Sequence, residues 1–241
     1  MKLLLFVILI FISVSVFSTS CTKTQVVTVT DTLTVRDTIS IKDTVTIIDT
    51  LNTDANLAIQ PSNNQYEGGI NILSPDTWQP ATSQLLIEDW VNAGVTSTAS
   101  AAIKFDYGGI PRGATIDNAT LYLYSDPAPI SGDKTNAQAG TNNACFIQRI
   151  TTTWVLPTSF TWNNPPPTVT TDEAIIPQSV TSTDNAVVDV TALVNDMQAN
   201  GNDGFFITLQ NQATNNARQF ASSNTSDATI HPKLIITYHL Q

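Results

Sequence analysis

Charge is what this chain has least of. Only 12% of its 241 residues are Asp, Glu, Lys or Arg, about half the usual share. Lysine and arginine number 10 against 20 aspartates and glutamates, a net charge of −10. Such a molecule repels phosphate backbones, so nucleic acid is excluded as a partner. Cysteine and histidine occur twice each, which leaves no disulfide framework and no closed Cys/His zinc cluster. No phosphate loop, metalloprotease helix or nucleophile elbow is found. Both histidines, His231 and His239, fall near the C-terminus. A glycosidase needs only two carboxylates, but nothing in the sequence singles out a pair. The chain therefore reads as a binding or structural protein and not as an enzyme.

In place of charge the sequence carries Thr, Ser, Asn and Gln, with Thr alone at 36 positions. Threonine is β-branched and suits a half-buried pleat better than a helix. At the N-terminus, Lys2 precedes an apolar run from Leu3 to Phe17, then Ser18, Thr19, Ser20 and Cys21. A basic start, a run of about 15 apolar residues and small residues before a cut site match an export signal. The run is short for a bilayer span, which needs about 20 residues. Phe17-Ser-Thr-Ser-Cys21 resembles a loose lipobox, with Ser18 where Leu is commoner. That resemblance implies removal of residues 1–20 and a lipid on Cys21; ordinary secretion with an incidental cysteine is the alternative. The expected location is an exported, membrane-anchored lipoprotein at the outer membrane or cell surface. Lipidation of Cys21 would leave Cys145 without a partner, as a buried small hydrophobe.

Residues 21–54 form a Thr/Asp-rich stretch in which Asp31, Asp37, Asp43 and Asp49 recur every six residues, each followed by Thr and an aliphatic residue or Ser-flanked Ile. Six is a multiple of the strand period and misfits both the helical 3.6 and the heptad. As a strand, one face reads Val27, Val29, Asp31, Leu33, Val35 and onward, largely aliphatic, and the other is mostly Thr and Ser. Fully extended, 25 residues would span roughly 80 Å. The segment is expected to be an extended stalk, either a solvated linker or a strand zipped with copies of itself.

Residues 55–241 change texture: four tryptophans, Pro and Gly appear, and apolar residues come in short runs between turn formers. The runs predict strands at 56–60, 69–73, 84–90, 100–107, 114–124, 144–150, 186–189, 204–210, 219–222 and 233–239. Alternation such as Ala119, Leu121, Leu123 against Thr120, Tyr122, Tyr124 marks sheets with one buried face. Many short strands and little helix predict an all-β fold, a jelly-roll-like antiparallel β-sandwich. The exception is one short helix: Val190, Leu193, Val194 and Met197 fall at i, i+3, i+4 and i+7, with Asp189 or Thr191 to cap it and Gly201 to end it.

Several segments together resemble DNRLRE domains. They are Ala102-Ile-Lys-Phe-Asp106, Ile110-Pro-Arg-Gly-Ala-Thr-Ile-Asp-Asn-Ala-Thr-Leu-Tyr-Leu123, Trp154 with Thr161-Trp-Asn-Asn-Pro-Pro166, Val188-Asp-Val-Thr191, Gly204-Phe-Phe-Ile, Phe220-Ala-Ser-Ser223 and Pro232-Lys-Leu-Ile-Ile-Thr-Tyr238. The match covers about 180 residues. The resemblance implies a surface or secreted β-sandwich, related to a carbohydrate-binding module family found with alginate lyases, or else a component of a surface layer or matrix. The basic residue common before the first of these segments is replaced by Ser100 and Ala101. The globular part has 6 Lys and Arg against 15 carboxylates, which favours a neutral glycan or a protein over an acidic glycan. The expected partners are thus a membrane through Cys21, a polysaccharide or neighbouring envelope protein, and further copies of the stalk.

Sugar-binding modules stack flat aromatics on pyranose rings and read hydroxyls with polar neighbours. Trp78 and Trp90 lie outside the motifs and are the freest to serve, with half-buried packing as the alternative. Trp154 and Trp162 belong to the framework. Arg112, Arg149 and Arg218 are candidate ligand contacts, or else salt-bridge partners of Asp106 or Asp189. No cofactor is called for. Asp76, Glu88, Asp89, Asp126 and Asp133 have the hard oxygens that Ca²⁺ takes, but their spacing matches no calcium loop, which leaves metal use undecided. The expected role is a non-catalytic, lipid-anchored envelope module for glycan binding or adhesion. A structural subunit making protein–protein contacts is the alternative.

Overall fold

The computed structural model describes residues 25–35, 39–49, 54–61, 66–154, 160–179 and 181–240, so the segment expected to be an export signal and Cys21 lie outside the described residues. The chain divides into two units, Met1–Leu51 and Asn52–Gln241.

In the first unit the Thr/Asp stretch is extended, as its period of six requires, but it does not run on as one strand. β1 (Gln25–Val35) pairs antiparallel with β2 (Ile39–Asp49) along its whole length, from Gln25 opposite Asp49 to Val35 opposite Ile39. An isolated strand leaves a row of backbone N–H and C=O groups unpaired; the hairpin supplies each strand with a ladder partner. The repeat sets like against like: Thr28 opposite Thr46, Val29 opposite Val45, Asp31 opposite Asp43.

The second unit comprises β3 (Ala55–Ile59), β4 (Glu67–Asn71), β5 (Gln79–Pro80), β6 (Gln84–Asn92), β7 (Val95–Ile103), β8 (Ala114–Leu123), β9 (Cys145–Ile150), β10 (Thr168–Ile176), β11 (Ala186–Asp189), α1 (Thr191–Asn200), β12 (Phe205–Leu209), β13 (Asn216–Ala221) and β14 (Lys233–Leu240). One sheet has four strands in the order β11-β8-β14-β3. The other has eight, β10-β9-β12-β7-β4-β5, with β6 also on β7 and β13 on β6. Every ladder is antiparallel. The two unclosed sheets form the expected β-sandwich with its single short helix.

Several elements differ from the sequence reading, among them the short β5, which was not expected, and β13, which starts three residues early. β7 starts at Val95, five residues ahead of the expected strand, because a Thr/Ser-rich run there hides its pleat. β4 sits two residues early, taking in Gly68 and Gly69. β10 was not anticipated: its ladder with β9 is interrupted between Val169 and Ala174, and Asp172 stands at φ 61°.

Alternation explains the core. Phe205 and Ile207 pack between the sheets with Leu85, Ile87, Ile103, Leu121 and Leu234. Phe206, between them in sequence, points to the other face of the large sheet and joins Ile70, Trp78, Ala102, Ile150, Trp154 and Phe160. The large sheet is thus buried on both faces where these residues lie, not on one as the alternation suggests. The helix buries Leu193, Val194 and Met197. Its N-cap is Val190, with no side-chain cap bond, and not Asp189 or Thr191 as expected; Asp189 accepts the Thr191 N–H at 2.9 Å just ahead of it, and Gly201, at φ 106°, closes the other end through its N–H to Met197 O. Cys145 is fully buried and unpaired with another cysteine, and that burial pushes its thiol up to about 12.

Candidate functional site

The second aromatic cluster is centred on Trp154, whose ring lies 5.8 Å from Tyr66, 5.4 Å from Trp78 and 5.6 Å from Phe160, all tilted or edge-on. Trp154 also donates its indole N–H to Asp203 O at 2.7 Å. Beside this cluster a cleft of about 650 Å³ opens along β4, β5, β6 and β7. Gly68 permits its shape, since a Cβ there would lie 2.3 Å from Gln79 O and 2.5 Å from the Trp78 ring. Adjacent glycines in a strand signal such a close approach of another chain segment.

The cleft has an apolar rim and a polar wall. Leu73 and Ile130 are 55% and 57% exposed and line it together with Asn71, Gln79, Gln84, Ser97, Ser100 and Ser131. Behind the wall lies the fully buried Glu88. It accepts hydrogen bonds from the Ser97 hydroxyl at 2.7 Å and the Ser131 hydroxyl at 3.2 Å. Asn71 in turn donates to Ser97 Oγ at 3.1 Å. Gln219 secures the loop carrying Ser131, donating to Ser131 O at 2.8 Å. Desolvation holds the Glu88 carboxyl above its ordinary range, outweighing the two hydroxyl bonds that pull it down. A second fully buried carboxylate, Glu67 on β4, is bonded by the Ser223 hydroxyl and backbone N–H and is raised for the same reason.

The predicted site residues do not converge on this cleft. Trp78 forms part of its wall, but only 6% of it is exposed and its ring packs edge-on against Trp154. It cannot offer the flat stacking face expected of it. Its indole N–H has no acceptor among the described residues. Trp90 is partly exposed and pairs across the ladder with Ser97, so it adjoins one end of the cleft. Arg112 is exposed and lines a separate shallow depression with Asn195 and Gln198. Arg149 is paired with Asp196 on the helix, not with Asp106 or Asp189. Asp106 instead accepts the Gly108 N–H. Arg218, 2% exposed, donates to Pro177 O and stacks over Phe220, so no ligand outside the fold reaches it. An arginine inside an apolar strand is legible as unusual, but its inward direction becomes clear only once β13 is registered against β6.

The five acidic residues considered for calcium do not gather. Among the described residues, the set whose ligand atoms lie within 4.8 Å of one another is Asp54, Asp117 and His239. Asp117 receives His239 Nδ1 at 2.8 Å. An imidazole among the donors suits a transition metal better than Ca²⁺. Asn71, Ser97, Ser131 and Gln79 were missed altogether. Small polar residues carry no motif, and beside Trp78 the Gly68-Gly69 pair was the trace of the cleft in the sequence.

A family model described as carbohydrate-binding module family 96 matches residues 75–238, about two thirds of the chain. The chain belongs to carbohydrate-binding module family 96. The family 96 match takes in Trp78, both walls formed by β5 and β6, and the Ser131 loop. β3 and the cleft strand β4 precede it, although both are hydrogen-bonded into the sheets of the same unit. No curated protein matches the chain.

Proposed function

We propose that the second unit binds a glycan in the cleft between β4–β5 and the Ser131 loop, without chemistry. On this reading a lipid on Cys21 and the Thr/Asp segment present it at the cell surface. The observation that carries the reading is a cleft, in a family 96 chain, whose wall is built from amides and hydroxyls beside an aliphatic rim. Sugars offer the complementary surface, with hydroxyls at the ring edge and C–H groups on its faces. Trp90 stands at one end, where its partly exposed indole can stack on a further ring. A glycosidase sets two carboxyl groups about 5–10 Å apart around the scissile bond. The cleft lining holds no carboxylate, and Glu88 is sealed behind it, which supports binding without turnover.

Affinity electrophoresis of the full chain through gels containing a panel of polysaccharides tests this. At least one should retard the protein, and Trp90→Ala should weaken that retardation by about fivefold, roughly 1 kcal/mol. Release of reducing ends from a retarding glycan would overturn the non-catalytic reading. For the anchor, metabolic labelling with a fatty-acid analogue should mark the protein and be lost in Cys21→Ala.

A further inference from the structure

We infer that Asp54, Asp117 and His239 form a binding site for a divalent transition metal, with Zn²⁺ as the representative ion. The site is separate from the cleft, whose lining takes nothing from the four-stranded sheet. Its ligands lie in or just ahead of three adjacent strands of that sheet, β8, β14 and β3. β14 turns Leu234, Ile236 and Tyr238 inward, so alternation sends His239 to the outer face. β8 has one residue too many at this level. Thr237 pairs with Asn118 and Tyr238 with Ile116, which leaves Asp117 as a bulge. A bulge re-aims a side chain, and here both Asp117 carboxylate oxygens reach His239 Nδ1, at 2.8 and 2.9 Å. On the other side Tyr238 pairs with Ala55, so Asp54, one position earlier in the chain, comes level with His239. One ligand atom from each residue lies within 4.8 Å of the other two.

The donor set selects the ion. Zinc takes imidazole nitrogen and carboxylate oxygen at about 2.0–2.2 Å, in a tetrahedron that accepts three protein ligands and a water. Those lengths put neighbouring donors roughly 3.3 Å apart. The pair now at 2.8 Å has only to open slightly, on side chains that are exposed or half-buried. Any proton on Nδ1 leaves to solvent as the metal takes its place. Calcium and magnesium take six or more oxygens, and two carboxylates with a nitrogen suit neither. Charge favours occupancy as well. Among the described residues, neither Asp54 nor Asp117 pairs with a Lys or Arg, and His239 is the ion-pair partner of Asp117. One imidazolium offsets one of the two carboxylates, whereas a dication offsets both. β3 is an edge strand held by β14 alone, and Asp54 stands just inside the start of the second unit at Asn52. A metal there ties the entry of that strand, where fraying begins, to the two strands beside it.

The test uses the untagged full chain carrying Cys21→Ala, which removes a competing thiol; Cys145 is buried. The protein is stripped with EDTA and titrated calorimetrically with ZnCl₂ and, separately, CaCl₂. One zinc per chain is expected, with Tm raised by about 5 °C or more at a hundredfold excess of free zinc over Kd. His239→Ala and Asp54→Ala, both on the outer face, should each weaken zinc by at least the roughly tenfold that loss of an outer-shell partner costs. They should also abolish the Tm shift, while His231→Ala, at the other histidine, leaves binding unchanged. Undiminished binding in His239→Ala, or its loss in His231→Ala, overturns the site. Binding that Asp54→Ala leaves intact overturns the three-strand assignment. Calcium bound as tightly as zinc overturns the class of metal, and no zinc uptake overturns the inference outright.

Discussion

Glu88 shows how one buried acid shapes stability as well as the cleft. Its carboxyl sits in the fold at zero exposure, and desolvation raises it above its ordinary 4.5. The folded state therefore keeps a proton to higher pH than the unfolded chain does. Just above pH 4.5 it binds more protons than the unfolded state, so stability falls as pH rises through that window. Glu67 acts in the same sense. Asp133 and Asp189 act in the opposite one: Thr135 and Thr191 hold their carboxyls below the ordinary range, and their contribution is lost as pH falls below about 3.8. Thermal melts of wild type and Glu88→Gln from pH 4 to 8 should therefore diverge as pH rises, with the wild type losing Tm faster than the variant. Parallel curves would mean that Glu88 titrates alike in both states. None of this was legible in the sequence, where Glu88 reads as an ordinary strand carboxylate beside Asp89. Exposure is set by what folds over a residue, and here that is a loop more than 40 positions away, reaching it through Ser131.

Elements were read well where alternation is strict and poorly where it breaks. β14 buries every second residue from Leu234 to Tyr238, and β8 does so on either side of the exposed pair Asp117-Asn118; both were found nearly to the residue. β10 contains Thr170-Thr-Asp-Glu173, whose run of polar residues conceals a strand. The structure accommodates them as a bulge, bridged from β9 by Gln148, which accepts from the Thr168 hydroxyl and donates to Glu173. Asp172 occupies the left-handed region at φ 61°, which Asp tolerates better than most residues and β-branched residues resist. Asp172→Val should cost about 1–2 kcal/mol in urea denaturation, while Asp172→Gly should be neutral or slightly stabilising. Equal midpoints for both variants would mean that the bulge relaxes away from positive φ. The N-terminal hairpin shows a different limit. Its period of six correctly implied strand, but a period says nothing of whether the partner is a second copy or the same chain folded back. Pairing of Gln25–Val35 with Ile39–Asp49 is what the structure adds, and Arg36-Asp-Thr38 between them in sequence carries none of the Asn-Gly or Gly-X signals of a two-residue turn.

At the scale of the whole molecule, each unit's described strands have ladder partners of their own. β1 and β2 form a two-stranded sheet of their own, and every other ladder joins strands within Asn52–Gln241. The interior of the second unit is likewise assembled from its own residues, from Ala55 to Leu240. A unit with its own core has the means to fold alone, whereas a lone two-stranded hairpin is marginal in water. Deleting residues 1–51 should therefore leave a protein with one cooperative melting transition, within about 2 °C of the Tm of the longer chain, and with its glycan retardation unchanged. A broadened transition, or a Tm lower by the 4–8 °C that about 1 kcal/mol represents in a small domain, would show that the Thr/Asp hairpin stabilises the sandwich. It would then have to be counted as part of the domain and not as its tether.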